Sequence, residues 1–264
     1  MKRAFFFFVL IVSACAHKPP LAEPTGLLPN DLWIDQQHRL RVSNGVFGKV
    51  RIRYEGQKEK ISGKGQLLLE LPGRVSLELR DPLGRTHYIA ALNGKRLVAF
   101  YPRENVAYID LRSGSQYMKR FLGMELSFSE LYEILLGSIP SGQSGLPFEN
   151  WEWDTNRRLY RGKLKVSGRS VTCWVDGRKR WIEEMLIDLG KDVLQVVYQD
   201  FSSCCENGSK VSELELASAV TLTLQQSKRL VEFEWGEVRT LAEMRDADTF
   251  EIALPEGTKK INLR

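Results

Sequence analysis

Apolar and polar residues alternate along many short segments of this chain, and that period of two limits what the chain can fold into. Residues 49–54 read Lys-Val-Arg-Ile-Arg-Tyr, and residues 74–80 read Arg-Val-Ser-Leu-Glu-Leu-Arg. Such alternation is typical of β-strands that bury one face and expose the other. Turn-forming sequences, among them Pro72-Gly73 and Asn93-Gly94, separate the segments. The pattern therefore predicts an antiparallel meander of about ten or eleven strands.

The predicted strands extend over most of the sequence. They comprise residues 49–54, 74–80, 88–92, 96–101, 151–153, 158–166, 171–176, 181–189, 193–198, 214–224 and 229–238. A chain of this length can place one such sheet around a single core, so one folded domain is expected over residues 30–264.

Two helices are predicted beside the sheet. Asp31 is placed to cap a helix that runs to about Arg41. Ser127 and Glu130 have the spacing of a capping box and begin a second helix at Phe128, which ends before Gly137. Leu131, Ile134 and Leu135 form an apolar stripe on that second helix. The stripe is expected to cover part of the sheet.

The residues predicted to face inward from the sheet are large and apolar. They are Val50, Ile52, Tyr54, Val75, Leu77, Leu79, Val231, Phe233 and Trp235. Side chains of this kind usually fill a core. A strongly curled sheet with a single helix over its concave face can instead leave a cavity for an apolar ligand. Composition does not separate these two alternatives.

The N-terminal residues form a segment of a different kind. Lys2 and Arg3 precede an apolar stretch at residues 4–14, which is too short to cross a bilayer as a helix. The stretch ends in Val-Ser-Ala before Cys15, the order found at the cleavage site of bacterial lipoproteins. We expect a signal peptide at residues 1–14, an acylated Cys15, and a flexible Pro-rich tether at residues 15–29. An ordinary signal that happens to contain a cysteine is the alternative.

The remaining composition argues against several classes of function. The formal net charge is +5, of which Lys2 and Arg3 contribute two, and the other charges alternate in sign, which disfavours nucleic-acid binding. No serine-hydrolase elbow, zincin motif or phosphate-binding loop is present in the sequence. We therefore expect neither catalysis, nor a metal, nor a cofactor.

Three cysteines remain after Cys15, and they are expected in an oxidising compartment. A bridge from Cys173 to Cys204 or Cys205 is preferred, and a bridge between the vicinal pair is the alternative.

Two motifs resemble a known family. Residues 75–86 read Val-Ser-Leu-Glu-Leu-Arg-Asp-Pro-Leu-Gly-Arg-Thr, and residues 122–140 contain Leu-Gly-Met-Glu-Leu followed by the predicted helix and Leu-Gly-Ser-Ile-Pro. Both resemble LolB and its relatives, the outer-membrane lipoprotein receptors, in content, order and spacing. The segment at residues 246–257 resembles a longer LolB-like group of lipoproteins whose role is unsettled.

The resemblance implies a mainly β fold, an incomplete antiparallel barrel with a helical lid over an apolar cavity that receives lipoprotein acyl chains. The lid residues would be Phe128, Leu131, Ile134 and Leu135. The turn Asp81, Pro82, Leu83 and Gly84 would promote insertion into the membrane, with Leu83 protruding into solvent.

The expected partners are lipoprotein acyl chains and a periplasmic LolA-like carrier. The protein would be a monomer, anchored by its N-terminal lipid at the periplasmic face of the outer membrane. The alternative function is a structural or regulatory envelope lipoprotein that uses the same fold to bind a protein partner.

Overall fold

A computed structural model of the protein describes residues 27–42, 44–56, 60–70, 73–140, 148–205 and 211–263. The predicted signal peptide, Cys15 and most of the predicted tether lie outside the described residues. Within them the strands are β1 (Gly45–Glu55), β2 (Lys60–Glu70), β3 (Arg74–Arg80), β4 (Thr86–Asn93), β5 (Arg96–Tyr101), β6 (Val106–Asp110), β7 (Phe148–Asp154), β8 (Leu159–Val166), β9 (Arg169–Asp176), β10 (Trp181–Asp188), β11 (Val193–Cys205), β12 (Val211–Leu224), β13 (Arg229–Thr240) and β14 (Lys259–Leu263).

In sequence, the helices precede β1, lie between β6 and β7, and lie between β13 and β14. They are α1 (Pro29–Val42), α2 (Ser115–Tyr117) with a π-helical turn at Met118–Leu122, α3 (Phe128–Leu135), and a 3-10 turn at Ala247–Phe250. Ser127 and Glu130 form the complete capping box of α3, each side chain accepting the backbone N–H of the other residue. The N-terminal helix and the helix over the sheet are thus both present.

All fourteen strands of the described residues join one sheet in the order β14-β6-β5-β4-β3-β2-β1-β13-β12-β11-β10-β9-β8-β7. Neighbouring strands are antiparallel, apart from the parallel pairing of β14 with β6 and a single parallel contact between β11 and β13. The edges β14 and β7 do not pair with each other, so the sheet stays open. The prediction of a mainly β, incomplete antiparallel barrel with a helical lid is confirmed.

The predicted count of ten or eleven strands is too low, because the pattern gave no strand for β2, β6 or β14. Gly63 and Gly65 interrupt the alternation of β2, yet a side chain cannot replace the hydrogen at position 65. A Cβ atom there would lie 1.7 Å from the backbone oxygen of Glu78 on β3. β6 and β14 have only five residues each, too few for a period to be recognised.

The core lies on the concave side of the sheet and is densely filled beneath β8–β12. Side chains with no measurable exposure there include Leu164, Val175, Ile182, Met185, Leu194, Val196 and Val220. On the outer face, a small cluster of Leu68, Leu241 and Phe250 covers part of the sheet. The half of the sheet formed by β1–β6 is less completely filled.

The preferred disulfide from Cys173 is absent, since Cys173 is a buried free thiol in β9. β10 lies between β9 and β11, which carries Cys204 and Cys205. Two strand spacings amount to about 9–10 Å, whereas the Cα atoms of a disulfide lie within about 7 Å of each other. The sheet therefore holds Cys173 too far from the other two cysteines.

Candidate functional site

A cavity of about 480 Å³ lies between the concave face of β1–β4 and the helical segment that includes α3. Seven of the nine inward residues predicted from the alternation line it: Ile52, Tyr54, Val75, Leu77, Leu79, Val231 and Phe233. The other two, Val50 and Trp235, are register partners on β1 and β13 and are buried in the adjoining core. The concave face is therefore part core and part cavity.

The lid helix α3 closes one end of the cavity. Phe128, Leu131 and Leu135 line the cavity, whereas Ile134 is fully buried and does not line it. The hydroxyl of Tyr198 on β11 donates a hydrogen bond to the carbonyl oxygen of Ile134 at 2.8 Å. Glu130 forms an ion pair with Arg169 on β9 at 2.7 Å. These contacts fix α3 to the second half of the sheet, while Phe128, Leu131 and Leu135 cover the cavity.

Aromatic side chains that sequence reasoning missed form much of the wall. Tyr88, Tyr101, Tyr108, Tyr117 and Phe121 all line the cavity, and their rings contact one another edge to face or at a tilt. Alternation in β4 would have placed Tyr88 inward with Ala90 and Leu92, because the three lie two residues apart. Tyr117 and Phe121 lie in the segment between β6 and α3, whose sequence has no clear period.

The tyrosine hydroxyl groups give the cavity polarity without charge. The hydroxyls of Tyr101 and Tyr117 lie 2.7 Å apart and share a hydrogen bond. Burial raises the pKa of Tyr88 and of Tyr117 above the usual value for phenols, so both stay neutral at physiological pH. A ligand inside would thus meet aromatic faces, aliphatic groups and neutral hydroxyls.

The opposite end of the cavity opens to solvent. Ile61 lines the cavity and is 47% exposed, and the exposed Glu104 lies at the same end. His87 also lines this end, and its pKa is lowered, first by burial and then by the nearby Arg103 guanidinium, which keeps the imidazole neutral. This end of the cavity, marked by Ile61, His87 and Glu104, is called the mouth.

The predicted insertion turn adjoins the mouth. Arg103, next to Glu104, forms an ion pair with Asp81. One carboxylate oxygen of Asp81 accepts the backbone N–H groups of Leu83 at 2.9 Å and Arg85 at 3.0 Å. Gly84 adopts a left-handed conformation with φ of 80°, which favours glycine. The turn is therefore built by its own polar groups and leaves the Leu83 side chain 76% exposed.

No family model matches the sequence, and no curated protein matches it. Solved structures do resemble the fold. A candidate outer membrane lipoprotein-sorting protein domain from Vibrio parahaemolyticus aligns over 83% of this chain and 94% of that domain, with 11% identity and a TM-score of 0.59. A LolA superfamily protein from Nitrosomonas europaea aligns over 86% of this chain and 99% of that one, with 12% identity and a TM-score of 0.58. The chain has the LolA/LolB-type fold.

A DUF1329 family protein from Desulfovibrio piger shares that LolA/LolB-type fold, with a TM-score of 0.61 at 11% identity over 85% of this chain and 97% of that one. Identities this low establish the architecture alone. Among the described residues, no group of three or more His, Cys, Asp or Glu side chains could hold a metal ion. Nor does the described part contain a helix long and apolar enough to cross a membrane.

Proposed function

We propose that this protein is a non-catalytic lipoprotein that binds acyl chains in the cavity beneath α3. The observation that carries the proposal is the shape of the cavity, which α3 closes at one end and which opens at the mouth. Its closed end is formed by Leu69, Val75 and Tyr132, all buried. From Ile61 to Leu69 the wall follows β2 for about 26 Å at roughly 3.3 Å per residue. Such a channel suits a single extended hydrocarbon chain.

The volume gives a second estimate of what fits. A cavity of about 150 Å³ holds one benzene molecule, six carbon atoms. At 480 Å³ the cavity is about three times larger and has room for roughly eighteen carbon atoms. One fatty acyl chain of ordinary length would fill it. The protein would accordingly take up one chain of a multiply acylated ligand at a time.

Acyl-chain length provides the test. Each buried methylene contributes about 0.8 kcal/mol. Four further methylenes, from a twelve- to a sixteen-carbon chain, should then strengthen binding by about 3 kcal/mol, or roughly 200-fold in Kd. The affinity should stop rising near eighteen carbons. Displacement of an environment-sensitive apolar fluorophore from residues 16–264 measures this, and a triacylated peptide should also displace the probe. Binding independent of chain length would indicate a surface patch.

A matched pair of variants separates the cavity from the rest of the protein. Leu77→Trp places a larger side chain in the cavity wall at the centre of β3, and it should abolish displacement by long chains. Ser170→Trp adds the same side chain at an exposed position on β9, away from the cavity, and should bind like the wild type. Equal loss in both variants would exclude the cavity as the binding site.

The membrane part of the proposal concerns Cys15 and Leu83. We propose that an acylated Cys15 anchors the chain at the periplasmic face of the outer membrane, that a LolA-like carrier delivers the acyl chains to a monomer, and that Leu83 assists their insertion into the bilayer. The exposure of Leu83 supports this: it is the most exposed large apolar residue of the described part of the chain, and its turn adjoins the mouth. A protein that used the same fold only to bind a protein partner would need no internal cavity, so the cavity favours acyl-chain binding over that alternative.

A further inference from the structure

Three cations lie side by side on the outer face of the sheet. Arg51 on β1 is the register partner of Lys64 on β2, and Lys64 is the register partner of Arg80 on β3. Side chains paired directly across antiparallel strands lie on the same face, with their Cβ atoms about 4.5–5.5 Å apart. Like charges in such positions destabilise a sheet. A row of three therefore carries a cost that needs an explanation.

Nearby acids pair with the two outer cations of the row, Arg51 and Arg80, but not with the central one, Lys64. Arg51 pairs with Glu234 at 2.9 Å, and Arg80 pairs with Glu78 at 2.8 Å. Lys64 is exposed and forms no ion pair with any residue that the structure describes. Asp81, which directly follows β3, is already paired with Arg85 and Arg103. An anion from outside the protein could satisfy Lys64.

The row lines a hollow next to the insertion turn. The outer hollow, of about 540 Å³, is lined by four cations, Lys49, Arg51, Lys64 and Arg80, against two acids, Glu78 and Asp81. Pro82 and Gly84 of the turn form part of the same wall. The exposed side chain of Leu83 thus lies between the mouth on one side of the sheet and a cationic hollow on the other.

We propose that the row Arg51, Lys64 and Arg80 binds the phosphate group of an anionic phospholipid when Leu83 enters the bilayer surface. The inference rests on the proposed function in one respect, that Leu83 contacts a membrane. An apolar side chain flanked by cations matches the order of a bilayer, whose hydrocarbon lies beneath a layer of phosphates. The contact would orient the mouth toward the membrane.

Vesicle binding of residues 16–264 tests the inference. Vesicles of phosphatidylcholine alone are compared with vesicles in which one lipid in three is phosphatidylglycerol. Each basic residue near an anionic surface strengthens binding by roughly fivefold. Lys64→Gln should therefore weaken binding to the anionic vesicles by roughly fivefold and leave binding to neutral vesicles unchanged. Because the change relieves like-charge repulsion, the thermal midpoint should stay the same or rise.

The matched control is Lys163→Gln. Lys163 is an exposed lysine on β8 without an ion pair among the described residues, and it lies far along the sheet from the turn. This control should bind both kinds of vesicle like the wild type. Equal weakening in Lys64→Gln and Lys163→Gln would show that only the net charge of the protein matters, and it would overturn the inference. The absence of weakening in both variants would overturn it as well. Release from the anionic vesicles by inorganic phosphate at constant ionic strength would point to a free-anion site instead.

Acyl-chain displacement, measured on the same samples, keeps this inference separate from the proposed function. Lys64→Gln should leave the Kd for the sixteen-carbon chain unchanged, because Lys64 lies on the outer face and does not line the cavity. If the wild type failed to bind acyl chains at all, the proposed function would be wrong, while a Lys64-dependent preference for anionic vesicles would still support the phosphate contact.

Discussion

Replacing Leu83 by glutamate should separate membrane transfer from folding. The Leu83 side chain is 76% exposed, so only about a quarter of it is removed from water. Complete burial of a leucine contributes roughly 1.5–3 kcal/mol, and a quarter of that is about 0.5 kcal/mol. The free energy of unfolding of Leu83→Glu should therefore fall by no more than about 0.5 kcal/mol, as for ordinary surface substitutions.

The turn itself should survive the substitution. Its hydrogen bonds use the carboxylate of Asp81 and backbone N–H groups, none of which belongs to the Leu83 side chain. Acyl-chain binding should also be unchanged, because Leu83 does not line the cavity. Transfer of a bound acyl chain into liposomes should fail, since a charged tip no longer partitions into the bilayer interface.

Two measurements on one variant decide the matter, a denaturant midpoint and a liposome transfer assay. Leu111→Glu is the matched control, because Leu111 is also an exposed leucine, at 65%. It follows the C-terminal end of β6, whereas Arg103 and the mouth lie at the N-terminal end of that strand. The control should transfer acyl chains like the wild type. A loss of 2 kcal/mol or more in Leu83→Glu would place the side chain in the core. Unchanged stability with unchanged transfer would refute the insertion role.

Three further outcomes are expected. Cys15→Ser should abolish incorporation of labelled palmitate, and label remaining at the N-terminus would refute the assignment of the anchor. Ser127→Ala should lower the free energy of unfolding by about 1 kcal/mol, because it removes the cap of α3; an unchanged denaturant midpoint would contradict this. Burial raises the pKa of the Cys173 thiol to about 12. Iodoacetamide at pH 8 should therefore label Cys173 only after unfolding, and stability should fall as the pH rises above about 9, where the unfolded thiol ionises while the folded one does not.

The fold could be predicted where apolar and polar residues alternate clearly along a strand and one face of the strand is exposed to solvent. In β1 and β3 the inward residues alternate with polar or charged ones, so the pattern alone assigns both the strand and its buried side. In β2 the close approach of β3 requires glycine at position 65, although local propensity treats the glycines at positions 63 and 65 as a break in the strand. The structure of that segment is determined by its neighbours, which a single sequence does not show.

The cavity could be predicted only in part. Alternation placed Leu77 and Phe233 on the concave face, but it placed Val50 and Trp235 there equally. Whether an inward side chain lines a void depends on how far the opposite layer reaches, and that layer includes Tyr117 and Phe121 from an irregular segment. The row of Arg51, Lys64 and Arg80 on the outer face depends on the register of β2 with β1 and β3. The sequence pattern did not predict β2, so it could not predict the row. Neither feature can be derived from the period of one segment.

The way α3 is held indicates how a ligand would reach the cavity. A lid that swings open must break its contacts with the sheet, and α3 has three kinds there. Tyr198 donates a hydrogen bond to the carbonyl oxygen of Ile134, Arg169 pairs with Glu130, and Ile134 itself is fully buried in the filled half of the core. Burying a residue such as Ile134 contributes roughly 1.5–3 kcal/mol, and a hydrogen bond such as that from Tyr198 contributes about 0.5–1.5 kcal/mol more. The mouth requires no such rupture, because Ile61 and Glu104 are already exposed there. An acyl chain would therefore slide in along β2 from the end that carries Leu83, with α3 as a fixed roof, and would leave by the same end toward the membrane.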